Sequence, residues 1–204
     1  TLQTPLAALR MLWHAAGLQA AALDRVQPTG AEPVLPSSFA VGTAAQASIA
    51  AAALAATELG RLRNGVQQQV AVDMRHAALE CCSYFLVDGR ALPLWDKLSA
   101  LYPCGGDDGA AGWVRIHANF AHHRDGALRL LGLPAGAGAE QADVRRALQR
   151  WTATGFEQAA ADAGLVVAAL RSFDEWDAHP QGRAVAGQPV LRITRIGDAP
   201  PRTL

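Results

Sequence analysis

The chain has 204 residues, half of them hydrophobic, and its eighteen basic residues balance eighteen acidic ones. Such a composition is globular and too apolar for disorder, and zero net charge leaves no basic excess to hold nucleic acid or an anionic membrane. Forty-four residues are alanine, so buried area has to come mainly from Leu, Val, Trp and Phe.

Alanine does favour helix. The pattern over 6–23 predicts a first helix, with Leu6, Leu9, Trp13 and Ala16 at helical spacing, Thr4-Pro5 as its start and Gly17 as a point of division. Residues 28–36 carry three prolines and a glycine and read as a loop. A second helix is predicted over 43–63, ended by Asn64-Gly65. A short strand comes next at 67–72, then a helix at 74–86. The stretch 43–57 is too short and too rich in alanine to span a membrane.

From residue 89 the character changes. A short amphipathic piece at 92–101 leads into the glycine-dense stretch 102–112, a loop or tight hairpin. Strand-like alternation comes at 113–117, a helix at 123–131, and two more at 140–151 and 156–163. Residues 165–170 read as a strand buried on both faces, which needs neighbours on either side. Ser172 caps a helix over 173–178 with Glu175 in the capping-box position. Residues 190–196 alternate apolar and basic side chains and predict a half-exposed strand. The fold class is helix-rich α/β with too few strands for a full doubly wound sheet. Three parts are expected: helices of a larger domain at 1–103, a small α/β domain at 104–164, and return strands with a linker at 165–204. Three cysteines without a framework spacing, and no basic leader at the start, point to a reduced cytoplasmic protein.

Several segments, in order, resemble the family III CoA-transferases. They are AAQASIAAAAL at 44–54 with LRNGVQQQVAVDM at 62–74, DGAAGWVRI at 108–116, and FEQAAADAGLVVAALRSFDEWDAHPQ at 156–181. The resemblance covers about residues 36–198 and implies part of an acyl-CoA:carboxylate CoA-transferase, with a racemase as a variant. It implies a CoA thioester and a carboxylic acid as substrates, no metal cofactor and a homodimer. The family's opening strand of the type LxGxrVLD is absent here. So is its nucleophilic aspartate in a GyD context, which forms an acyl-aspartyl anhydride. The sequence assigns no catalytic residue, and the isolated chain is expected to be inactive and to fold stably only with a catalytic segment after Leu204 or with a second chain. A non-catalytic helical interaction module derived from the same family is the rival.

Four glycines, Gly105, Gly106, Gly109 and Gly112, resemble the small-domain loop that covers the reacting thioester in the family, and so are the candidate substrate-binding residues. Glycine suits a backbone that approaches a ligand closely and takes positive φ; a plain hairpin turn needs the same residues. His117, His122 and His123 have poor spacing for a metal and fit a hydrogen-bonding turn, with Asn119 as a cap for the next helix. Cys81 and Cys82 read as buried small apolar residues. Asp107-Asp108 sits in the glycine loop as a solvated turn or an aid to chemistry. Asp174, Glu175 and Asp177 suit the positive end of a helix dipole.

Overall fold

A computed structural model describes residues 4–83, 85–106 and 109–200. The chain is mixed α/β and helix-rich, and it divides into two units. One holds the residues up to Ala91 together with those from Gly187 onward; the other is Leu92–Ala186. The boundaries expected at 103/104 and 164/165 both fall inside the second unit, because the strands on either side of them pair with one central strand.

In the first unit helix α1 spans Pro5–Ala15. The Thr4 hydroxyl accepts from the Ala7 N–H to cap it, and Pro5 sits where its missing N–H costs nothing. Gly17 takes positive φ, and beyond it the chain forms a separate 3-10 turn, Ala20–Arg25. Strand β1 is Val26–Thr29, helix α2 is Val41–Asn64 and strand β2 is Val70–Asp73, with β1 and β2 paired in parallel. Sequence placed 28–36 in a loop, yet Pro28 lies opposite Val72 within β1. Proline is tolerated there because β1 is an edge strand. Gly65 in the left-handed conformation ends α2 as predicted. Helix α3, Met74–Cys81, is capped by Asp73 and stops five residues short of the predicted end. Ser83 then turns at positive φ, leading to a short hairpin of β3, Leu86–Val87, and β4, Arg90–Ala91.

The core of this unit is built from Leu9, Trp13, Val26, Leu54, Val70 and Val72, filled in by Ala8, Ala22, Ala45, Ala47, Ala50 and Ala77. One polar residue reaches its centre. Gln46, 1% exposed, donates through Nε2 to Thr29 O at 2.8 Å and to Val72 O at 2.7 Å, joining both strands to α2. Residues 190–196 form no strand. Ile193 and Ile196 are 69% and 100% exposed. Alternation alone does not make a strand without a neighbour to pair with.

In the second unit, residues 92–100, read from sequence as a short amphipathic piece, are irregular. They lead to β5, Leu101–Pro103, which pairs antiparallel with β6, Trp113–Ile116. Helices α4, Ala121–Leu130, α5, Gln141–Leu148, and α6, Ala153–Asp162, come next, then β7, Val167–Ala169, on the other side of β6. Helix α7, Phe173–Ala178, has the predicted Ser172–Glu175 capping box, and α8 is Pro180–Ala186. Tyr102, Val114, Ile116, Leu128, Leu148 and Phe156 make a core of large side chains, each 2% exposed or less.

Strand β7 corrects the expectation of a strand buried on both faces. It is an edge strand, with Val166 48% and Leu170 63% exposed. Its inner edge is held by β6. At Ala169, the Glu157 carboxylate accepts the N–H at 2.9 Å, and Arg171, ion-paired to Glu157, donates to the carbonyl at 3.1 Å. The same chain thus closes backbone groups that an open edge would present to another chain.

Candidate functional site

The glycine-dense stretch forms the turn of the β5–β6 hairpin. Cys104 N–H donates to Gly112 O at 2.9 Å and Ala111 N–H to Cys104 O at 3.1 Å, which carries the ladder past the strand ends. Gly109 N–H donates to Gly106 O, and Gly112 N–H to Gly109 O at 2.8 Å, folding the tip back on itself. All four candidate glycines have positive φ. Asp107 and Asp108 lie outside the described residues.

The surroundings of these glycines bear on both of their possible roles, ligand loop and plain turn. A Cβ on Gly105 would stand 2.5 Å from the Cβ of Ala111, and one on Gly112 would stand 2.8 Å from the Cβ of Ala153. A Cβ on Gly109 would run into the Trp113 indole. Close approach is therefore required by this chain's own packing as well as by any ligand. The base of the loop is fixed to the helices: Gly105 N–H donates to Leu148 O and Ala153 N–H to Ala111 O. The N–H groups of Gly105, Gly109 and Gly112 are thus all engaged within the chain, and what the turn offers outward is glycine backbone without side chains.

No ionised nucleophile stands at this hairpin among the described residues. Cys104 is fully buried beside it, and burial pushes its thiol up, away from the reactive thiolate. Tyr102 is buried with its hydroxyl donating to Leu98 O at 3.0 Å, and burial and then Asp96 push its pKa up to about 12. Both behave as core residues.

The other candidates are scattered. Asn119 does not cap α4, whose N-cap is Phe120 without a side-chain bond. Its Oδ1 accepts instead from Asp96 N–H and Ser99 Oγ, and its Nδ2 donates to Leu94 O, so it ties down the irregular stretch before β5. His117, His122 and His123 come together as a ring cluster, with His122 and His123 centroids 4.0 Å apart and His117 6.2 Å from His123. No group of three His, Cys, Asp or Glu side chains among the described residues is arranged to hold a metal ion. Cys81 and Cys82 are exposed rather than buried, because α3 ends there and the chain turns away at Ser83. Glu175 closes the α7 capping box. Sequence reasoning missed the Glu157–Arg171 pair and Gln46. The only available signal for them was a polar residue inside an apolar helical run.

No family model and no curated protein matches this chain. Solved structures do. Over its whole length the chain is similar to a point mutant of Rv3272 from Mycobacterium tuberculosis, with 21% identity and a TM-score of 0.60, covering 57% of that chain. A structure described as hypothetical protein Rv3272 from the same organism matches 90% of this chain and 52% of its own at 19% identity and a TM-score of 0.57. An orthorhombic form matches the whole chain and 58% of its own at 21% identity and 0.56. These likenesses show the fold. The chain spans just over half the length of the solved chains it matches. No helix among the described residues is long and apolar enough to cross a membrane.

Proposed function

We propose that this chain is part of an acyl-CoA:carboxylate CoA-transferase, in which the glycine hairpin contributes backbone contacts to a CoA thioester. The observation that carries the proposal is the hairpin itself. Its four glycines have positive φ and stand on a base pinned to α5 and α6. They lie where the ordered resemblance to the family III enzymes puts a thioester-covering loop. Gly105, Gly109 and Gly112 already donate their N–H groups within the chain, so in this reading a thioester is met by close-lying glycine backbone rather than by those donors.

The reaction needs a carboxylate nucleophile, which attacks the thioester to give a mixed anhydride and CoA thiolate. None of the described carboxylates near the hairpin is offered for this role: Glu157 is committed to Arg171, and Glu140 to Lys97 and the α5 capping box. In this reading the chain's part is placement, and another segment or chain of the functional assembly supplies the acid. One observation favours the non-catalytic rival: Gly105, Gly109 and Gly112 are each already required by internal packing.

The test is titration of the purified chain with acetyl-CoA and other short acyl-CoA esters, monitored by backbone NMR, together with an assay for CoA transfer to a free carboxylate. The proposal expects saturable shifts confined to 105–112 and the hairpin base, with no transfer. Absence of shifts there would favour the interaction module. Transfer abolished by a single Asp substitution in this chain would overturn the placement role.

A further inference from the structure

On the second unit, away from the glycine turn, six side chains form one surface cluster: Trp95, Arg115, His117, Phe120, His122 and His123. The Arg115 guanidinium lies over the Trp95 ring, 5.5 Å from its centroid. Trp95 meets His117 edge-on at 5.8 Å, and His117 leads through Phe120 at 6.1 Å to His122 and His123.

Nothing in the fold requires this composition. Trp95 and Phe120 are 57% and 58% exposed, so their area is not spent on the core. His122 and His123 lie in the first turn of α4; that turn holds no acidic residue, and the helix has no side-chain cap. The helix dipole disfavours added positive charge there, so helix stability does not explain them. Among the described residues no carboxylate pairs with Arg115 or with any of the three histidines; Asp96, the acid close by, pairs with Arg124. The Nδ1 of His123 is buried without a hydrogen-bond partner. The cluster thus offers two exposed π faces together with several donors that lack an anion.

We infer that this cluster is a binding site for a nucleotide carrying phosphate, its base stacked on Trp95 or Phe120 and its phosphate met by Arg115 and the imidazole N–H groups. Aromatic faces hold any base by stacking, arginine supplies charge-assisted bonds to phosphate oxygens, and an imidazole N–H can donate to them as a neutral ring. A simple anion would not use the two rings, and an apolar partner would not use Arg115 and three imidazoles. Free mononucleotides and the 3′-phosphoadenosine end of CoA share this chemistry. The inference stands on the cluster and does not depend on the glycine hairpin.

The full chain is titrated with adenosine 3′,5′-bisphosphate, with adenosine, with ribose 5-phosphate and with CoA, and binding is monitored by NMR and by tryptophan fluorescence against a Trp95→Phe control. The bisphosphate is expected to bind saturably, with shifts at 95, 115, 117 and 120–123, and adenosine and ribose 5-phosphate to bind about tenfold or more weakly, each lacking one of the two contacts. Arg115→Gln and Trp95→Ala, both at exposed positions, should each weaken binding about fivefold or more while leaving the melting curve in place. CoA binding as tightly as the bisphosphate identifies CoA as a source the site accepts; a bisphosphate bound much more tightly than CoA identifies the free nucleotide. Loss of shifts at 105–112 with the cluster still responding would count against the thioester role alone. No saturable binding of the bisphosphate, binding unchanged by both substitutions, or tighter binding of a single-stranded oligonucleotide or an acidic peptide than of the mononucleotide would overturn the inference.

Discussion

The two units solve the same problem with different materials. The second surrounds an antiparallel sheet of three strands with large side chains, Tyr102, Leu128, Leu148 and Phe156 among them, and its β7 edge is closed at Ala169 by Glu157 and Arg171. The first has two parallel strands, and half of its buried core residues are alanine. Parallel sheets are normally covered on both faces, and alanine adds little area to hold them. The second unit therefore has what it needs to fold by itself. The first has a two-stranded parallel sheet that no third strand among the described residues extends.

The largest separation between the units should come from their cores. Phe156 is fully buried and meets Trp151 edge-on, so Phe156→Ala should cost about 3–5 kcal/mol. In a denaturant titration the loss should fall on the transition of the second unit and leave helix signal from α2 in place. Simultaneous loss of both units would join what the comparison separates.

In the first unit a single polar side chain has an effect of similar kind. Gln46→Leu removes both hydrogen bonds to Thr29 O and Val72 O and should cost about 1–3 kcal/mol, read as a lower denaturant midpoint. An unchanged midpoint would mean that the parallel pair does not depend on α2 in this way.

Acid should act on the second unit in two steps. Burial, then His122 and His117, hold the His123 pKa below its ordinary 6.5. The folded state therefore prefers the neutral ring, and this contribution is complete above pH 6.5 and lost as pH falls through the lowered value. The hydrogen bonds from Arg171, and then from Ala169 N–H, hold Glu157 below its ordinary 4.5. Its contribution is present above pH 4.5 and disappears below it. Melting measured across pH should show a first decline that His123→Gln removes and a second that Glu157→Gln removes. Glu157→Gln should also cost about 1–2 kcal/mol at neutral pH and promote association through the opened β7 edge, visible by sedimentation. The smallest effect belongs to residues 190–196, where Ile193→Asn should change stability by less than about 0.5 kcal/mol because the side chain is already exposed.

Much of this was legible in the sequence where one local signal sufficed. Thr4-Pro5, Gly65 and Ser172 with Glu175 placed helix ends correctly, and alternation found β6. Strand β1 was hidden by Pro28, whose tolerance depends on an edge position that only the pairing reveals. The apolar run at 165–170 carried no mark of its register or its edge, which are set by β6 and by a carboxylate on another helix. The glycines were legible as a turn, but their contacts with Ala111, Trp113 and Ala153 belong to tertiary packing. The histidine cluster gave up its spacing and not its neighbours, since Trp95 and Arg115 reach it from outside α4.

Hydrogen exchange of the isolated chain, with and without an acyl-CoA ester, probes both the contrast between the units and the role of the glycine hairpin. Strong protection of β5, β6 and β7, weaker protection of β1 and β2, and slower exchange at 105–112 when the ester is added are the expected results. Equal protection in both sheets, with no change at the glycine hairpin on adding the ester, would contradict both.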